Sequence, residues 1–350
     1  MKKLHLKKLN QQVIVITGAT SGIGLATARM AAAKGAKLVL AARNEQALRE
    51  LVREIRTAGG TAIHVEADVG LEEYVRRIAA ETFRHFGGFD TWVNNAGVSV
   101  YGRALDVSSE DMIRVMETNF WGVVYGSRIA CEYLRNQGGA LINVGSEVSD
   151  KAVPLQGIYS ASKHAVKGWT DALRMELEQE GAPVSVTLIK PAAIDTPYTE
   201  HAKNYLRDQP KHTAPVYAPE IVAQAILHAA TTPVRELFVG GGSKAVSTFA
   251  KWAPRVADKV VGAAVNAGTH SGKPAEYHDA LYEAGEGLRE RGNYQGHVMK
   301  TSLYTKASMH PLLTGMVVAG AGVAVAAILR GNGASVGLEK KRATLVSKVA

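Results

Sequence analysis

Tyr159 and Lys163 stand four residues apart. The run from Tyr159 to Glu178 has the pattern of a helix, so both side chains leave one face. A free phenol has a pKa of about 10, too high for proton transfer at neutral pH. An ammonium beside it favours the phenolate and brings that value toward the working range. Ser146 lies upstream at the end of an apolar run, Ala140 to Val144, that reads as a buried strand. Its hydroxyl could hydrogen-bond a substrate oxygen that Tyr159 protonates or deprotonates. Most Tyr/Lys pairs at helical spacing are a packed aromatic beside a solvated charge, so the pair alone decides nothing.

The elements that would position these groups begin at the N-terminus. Val13 to Ile16 reads as a first strand and runs into Thr17-Gly18-Ala19-Thr20-Ser21-Gly22-Ile23-Gly24, after which a helical pattern continues to Lys34. Strand, Gly-rich turn and helix form the context of a dinucleotide fingerprint. The glycines allow the tight turn, let the backbone approach the pyrophosphate and let the helix pack on the sheet. The spacing is G-x-x-x-G-x-G, different from the commoner G-x-G-x-x-G. Gly35 closes the helix and Ala36 to Ala41 forms a second strand. An acid at its end would bind the adenosine ribose 2′-hydroxyl, but this chain has Ala42 and then Arg43. A guanidinium there favours a 2′-phosphate, hence NADP(H) over NAD(H), unless Arg43 is an ordinary solvated arginine.

Alternation continues with helix 45–58, strand 61–66, helix 71–86, strand 89–93, a helix over about 109–136 and strand 139–145. The class expected is α/β, a doubly wound parallel sheet with a mainly helical C-terminal extension. Asp68 and Val69 follow the third strand and Asn94-Asn95-Ala96-Gly97 the fourth, on the carboxyl edge where ligands bind. Asn119 sits inside an apolar helical pattern, where a buried amide needs a partner.

The set TGATSGIG at 17–24, NNAG at 94–97, Asn119, Ser146 and Tyr159-Ser160-Ala161-Ser162-Lys163 resembles the short-chain dehydrogenase/reductase family, in its branch built from a single Rossmann domain. The likeness covers roughly residues 10–240. It implies Tyr159 as general acid/base and Lys163 as holder of the nicotinamide ribose and depressor of the tyrosine's pKa. Ser146 would polarise the carbonyl, and Asn119 would anchor a water relaying protons to Lys163. Gly18, Thr20, Ser21, Gly22, Ile23 and Gly24 match the pyrophosphate turn, and Asp68 and Val69 the adenine contacts. Asn95, Ala96 and Gly97 match the segment beside the cofactor, and Ile194 and Thr196 the carboxamide contacts. Where the family usually shows Pro-Gly, this chain has Pro191-Ala192-Ala193, which could reshape the loop over the nicotinamide. Glu147, directly after the serine, could touch substrate or face water.

The resemblance implies an oxidoreductase interconverting a carbonyl and a secondary alcohol, with NADP(H) favoured and NAD(H) the alternative. A homo-oligomer with helices around 109–136 and 157–180 at its interface is also implied. Competing readings are an NAD-dependent alcohol dehydrogenase and a non-catalytic dinucleotide-binding sensor or scaffold. Residues 197–218 fall where the family places a substrate-covering loop, and such loops set specificity. Its His201, Lys203, Arg207, Lys211 and His212 suit either an anionic substrate or a solvated, mobile loop.

The 350 residues, 46% hydrophobic and 21% charged, fit a globular protein. One cysteine, Cys131, excludes an intrachain disulfide and fits a reducing, cytoplasmic setting. The 11 histidines lack metal-ligand spacing, so no metal is expected. Residues 243–350 hold 14 Lys/Arg against 7 Asp/Glu, most of the net charge of +9. That distribution argues against nucleic-acid binding by the core and fits either a tail near an anionic surface or plain solubility.

The chain divides into a dinucleotide-binding and catalytic domain at 1–242, a polar, helical extension at 243–310 and a tail at 311–350. A helical segment is expected over 244–265. Residues 312–329 carry no charge and, at about 1.5 Å each, span roughly 27 Å, near the lower limit for a bilayer crossing. Gly315, Ala319, Gly322 and Ala326 fall on one helical stripe suited to close packing, with Arg330 and Lys340-Lys341-Arg342 beyond. The segment is therefore expected either to associate with a membrane or to pack in an oligomer interface.

Overall fold

The computed structural model describes residues 4–275, 279–312 and 314–316. Two units separate, Met1–Thr305 and Lys306–Ala350.

The first unit is built on a seven-stranded parallel sheet: β1 (Val13–Thr17), β2 (Lys37–Ala42), β3 (Thr61–Glu66), β4 (Thr91–Asn94), β5 (Gly139–Val144), β6 (Val184–Pro191) and β7 (Glu236–Val239). Their spatial order is β7-β6-β5-β4-β1-β2-β3, so the winding reverses between β1 and β4. Ligands bind at such a reversal, beyond the carboxyl ends of the strands. Both faces are covered, which is why the strands read as continuous apolar runs. Ile14, Val15 and Ile16 of β1, for example, are wholly buried.

The covering helices are α1 (Gly22–Ala33), α2 (Glu45–Thr57), α3 (Glu72–Phe86), α4 (Ser109–Met116), α5 (Gly122–Gln137), α6 (Gly157–Gln179) and α7 (Pro219–Ala229). Ser108 caps α4 by accepting from Asp111 N, and Asn44 caps α2 by accepting from Ala47 N. The helix expected over 109–136 contains a widened π turn, Glu117–Trp121, between α4 and α5. Such turns insert one extra residue and re-aim side chains, here driving Asn119 fully into the interior.

The helical segment expected over 244–265 comprises two helices, α8 (Gly241–Trp252) and α9 (Pro254–Thr269). Pro254 is the cause, since it lacks the N–H that would continue α8 and instead opens α9. Beyond α9 the chain folds back. His270–Pro274 pairs antiparallel with Asp208–Pro210, and Val298–Met299 pairs with Val216–Tyr217, which also pairs with Ala193–Ile194. The 197–218 loop is thereby held by strand pairing at several points instead of lying loose in solvent.

Among the described residues no helix is long and apolar enough to cross a membrane, and no group of His, Cys, Asp and Glu is placed to hold a metal. Most of 312–329, where membrane association is expected, lies outside the described residues. In the second unit the described residues of 306–316 are mostly helical. Cys131 is buried on α5, and burial pushes its thiol up to about 12, too high for a nucleophile.

Candidate active site

Two hydrogen-bond systems fix the carboxyl edge of the sheet. In the first, Asn94 at the end of β4 stands directly opposite Asn143 of β5. Asn94 Nδ2 donates to Asn143 Oδ1 at 2.9 Å, Trp92 Nε1 donates to Asn94 Oδ1 at 2.8 Å, and Asn143 Nδ2 donates to Thr170 Oγ1 of α6 at 2.9 Å. In the second, Asn95 Nδ2 donates to Thr17 O at 2.9 Å, while Thr17 Oγ1 accepts from Asn95 N and Ala96 N at 3.0 and 3.1 Å. The Gly-rich turn and the Asn-Ala-Gly segment are thus locked side by side.

That close approach requires glycine. Gly18 has φ +65°, and a Cβ on it would sit 2.8 Å from Ala96 Cα. A Cβ on Gly24 would sit 2.0 Å from Gly18 O. Gly24 therefore lies under the turn as a packing residue. Gly18, Thr20, Ser21, Gly22 and Ile23 line the cleft above it, whose volume is about 330 Å³.

The same cleft is lined by Arg43, Asp68, Val69, Asn95, Ala96 and Gly97 and by Ser146, Tyr159, Lys163, Ile194 and Thr196. The structure therefore gathers the residues singled out by motif, with Gly24 and Asn119 as the exceptions. Asn119 sits behind the wall: its Oδ1 accepts from Val98 N at 2.8 Å, and its Nδ2 donates to Val98 O at 3.0 Å and Ser162 Oγ at 3.1 Å. The amide fastens the segment at Val98 to α6. Asp68 pairs with Arg114 and accepts from Gly70 N at 3.0 Å.

α6 delivers Tyr159 and Lys163 to the cleft on one face. Lys163 is buried, and its Nζ donates to Val144 O at 2.9 Å, at the end of β5. It lies 5.7 Å from the centre of the Tyr159 ring. Burial pulls the Lys163 ammonium down to about 8. Ser146 is held by a reciprocal cap: its Oγ accepts from Val148 N at 3.3 Å, and Ser149 Oγ accepts from its N–H at 3.1 Å. Ser146 also hydrogen-bonds the Tyr159 hydroxyl. Burial raises the phenol above its usual value, hydrogen bonds from Tyr198 and Ser146 oppose the rise, and the Glu147 carboxylate adds to it.

Sequence reasoning missed part of this wall. Tyr198 opens a short helix, Tyr198–His201, and its ring meets that of Tyr159 edge to face. Its hydroxyl accepts from Ser99 Oγ at 2.7 Å and from Gln156 Nε2 at 2.8 Å, which leaves its own proton for the Tyr159 oxygen. The available signal was an aromatic residue directly after Ile194-Asp195-Thr196-Pro197. Glu147 also lines the cleft, and burial pushes its carboxyl up to about 7. Of the loop's basic residues, Lys203 is neutralised by Asp111 and Asp279 at 3.0 and 3.2 Å, whereas Lys211 and His212 reach the cleft.

A family model for short chain dehydrogenase matches residues 12–206. The chain belongs to the short-chain dehydrogenase family. This dehydrogenase is 52% identical over 323 residues to "Uncharacterized oxidoreductase YxnA" of Bacillus subtilis (strain 168), covering 91% of both chains. It is 36% identical over 231 residues to 11-beta-hydroxysteroid dehydrogenase A of Sesamum indicum, 63% of this chain and 65% of that one. Among solved structures it is similar to a short chain dehydrogenase/reductase from Burkholderia phymatum in complex with NAD. That match has a TM-score of 0.64 and 28% identity, over 73% of this chain and 96% of the other. An alcohol dehydrogenase from Thermococcus sibiricus complexed with 5-hydroxy-NADP matches with a TM-score of 0.58 and 27% identity, over 65% and 95%. The dehydrogenase is thus an oxidoreductase acting on CH–OH with a nicotinamide dinucleotide. The glycine cradle, where a Cβ would strike backbone, fits that cofactor.

Proposed function

We propose that the protein reduces a carbonyl to a secondary alcohol with NADPH, using Tyr159 as the general acid. The observation that carries this reading is the convergence of Tyr159, Ser146 and Lys163 on one wall of the cleft. When bound, the dinucleotide supplies the hydride. Ser146 Oγ and the Tyr159 hydroxyl together hold the carbonyl oxygen, and Tyr159 gives its proton to that oxygen as negative charge builds there. The buried Lys163 ammonium stabilises the phenolate left behind and is placed to hold the nicotinamide ribose. Asn119 serves as a positioning residue, bracing Val98 against α6 through Ser162.

Arg43 supports the choice of NADPH, since it lines the cleft beyond β2 where a 2′-phosphate would lie and no carboxylate precedes it. The substrate side presents Glu147, Gln156, Tyr198 and Ser99, which suits a carbonyl compound carrying hydrogen-bonding groups beside the reacting carbon. Exposed Ile113, Trp121 and Met175 on the helices expected at a subunit interface support a homo-oligomer.

The test is NADPH consumption across a carbonyl panel by wild type and Tyr159→Phe. Turnover by wild type and its loss in the variant, with NADPH still bound, is the expected result. Equal turnover by both would remove Tyr159 from the mechanism. NADPH binding with no turnover by either would favour the dinucleotide-sensor reading.

A further inference from the structure

The family match ends at residue 206, yet a later stretch, residues 279–293, lies against the end of β2, the Gly-rich turn and the segment from Asp195 to Glu200. Beyond β2, Arg43 donates through Nη2 to Ala280 O at 2.5 Å and through Nη1 to Leu281 O at 3.1 Å. Asn44 Nδ2 donates to Gly285 O at 3.1 Å. At the Gly-rich turn, Leu288 N donates to Thr20 O at 2.7 Å and Gly22 N donates to Arg289 O at 2.9 Å.

At the nicotinamide end, Arg291 Nη1 stands 3.7 Å from Asp195 Oδ2. Gly292 is pressed so close that a Cβ on it would lie 2.5 Å from Thr196 O. The stretch ends on the Tyr198–His201 helix. There Glu200 takes an ion pair from Arg289 at 2.8 Å and accepts from Asn293 N and Nδ2 at 2.8 and 2.9 Å. Ala284, Gly285 and Glu286 line the cleft itself, facing the turn from the other side.

From these contacts we infer that residues 279–293 are a clamp along the dinucleotide, and that Arg289 is the positioning residue that sets how slowly the cofactor leaves. Arg289 holds two elements at once, the Gly-rich turn through its carbonyl and the Tyr198-bearing helix through its side chain. A dinucleotide lying between Arg43 and Thr196 is enclosed by the clamp on the side away from the sheet. Release therefore requires the clamp to lift, and lifting breaks the Glu200 contacts. The inference rests on the dinucleotide lying along the cleft as the proposed function has it. It adds a kinetic role for a segment outside the matched family region.

The experiment is stopped-flow measurement of NADPH association and dissociation, by cofactor fluorescence, on the full chain. Arg289→Ala and Glu200→Gln should each raise the dissociation rate at least about fivefold, as expected for loss of a charged hydrogen-bonded contact, with association changed less. Arg289→Lys should recover part of the effect. Dissociation within twofold of wild type in both variants would overturn the clamp. Hydrogen exchange on the wild type needs no variant. Peptides within 279–293 should gain protection on NADPH binding, and unchanged exchange there would equally overturn it. Wild type failing to bind any dinucleotide would instead refute the proposed function itself.

Discussion

The rings of Tyr159 and Tyr198 meet edge to face with centroids 5.4 Å apart, and Tyr198 hydrogen-bonds the Tyr159 phenol. That bond favours the phenolate and opposes the rise that burial imposes. Tyr198→Phe keeps the ring contact and deletes the bond, so the Tyr159 pKa climbs. With Tyr159 as the proposed acid/base, alcohol oxidation needs the phenolate, and its rate near neutral pH should fall roughly three- to tenfold, with the profile displaced to alkaline pH. A pH–rate profile identical to wild type would show that Tyr198 merely fills space.

Glu147 acts on the same phenol in the opposite sense, since its carboxylate raises the Tyr159 pKa. Glu147→Gln removes that charge, and the pH–rate profile should move to lower pH. The same substitution has a stability signature. The Glu147 carboxyl is raised to about 7 in the folded chain from 4.5. The folded state therefore binds more protons between those values, and the carboxyl costs stability as pH rises through that window. Glu147→Gln should stabilise the protein by up to about 3 kcal/mol at pH 8 and by little at pH 4.5. Urea titration at both pH values measures this; an equal effect at both would refute the assignment.

These two predictions concern residues that the sequence made visible to different degrees. Tyr159, Lys163 and Ser146 stood out because the joint motif set around them resembles one family, their local spacing alone deciding nothing. The parallel, doubly wound character of the sheet was legible from the alternation of strands and helices, whereas the spatial order of its strands comes from the structure. Tyr198 was not, because its contact with Tyr159 depends on how Pro197 and the strand pairs at Ala193–Ile194 and Lys203–Asn204 fold the lid. Arg289 was less visible still: its partners are Gly22 and Glu200, far away in sequence, and nothing in the local text of 279–293 announces them. Asn119 was noticed as a buried amide, but its partners at Val98 and Ser162 emerge only once the π turn re-aims it.

The Asn94 network should dominate local stability. Asn94→Ala would leave Trp92 Nε1 unpaired and take from Asn143 Oδ1 its nearest donor in a buried site, and an unmade buried hydrogen bond costs about 1–3 kcal/mol. With two such losses the expected destabilisation is about 2–4 kcal/mol, read as a lower urea midpoint with unchanged slope. A loss below about 1 kcal/mol would mean that water replaces the amide and that the network is not a structural brace.

Arg43 is where cofactor choice and the clamp meet. Its guanidinium donates to Ala280 O and Leu281 O, and burial pushes it below its usual range while Asp68 partly restores it. Removing it has two separable consequences. Loss of a 2′-phosphate contact affects NADPH alone, whereas a loosened clamp affects both dinucleotides. Arg43→Ala should raise the Kd for NADPH about 10- to 100-fold, the scale of a lost charge-assisted contact of about 1.5–3 kcal/mol. The Kd for NADH should rise no more than about threefold. The NADPH penalty should also shrink as salt is raised, since screening weakens the phosphate contact in wild type. An equal rise for both cofactors would place Arg43 wholly in the clamp and leave the preference for NADPH without a residue to carry it.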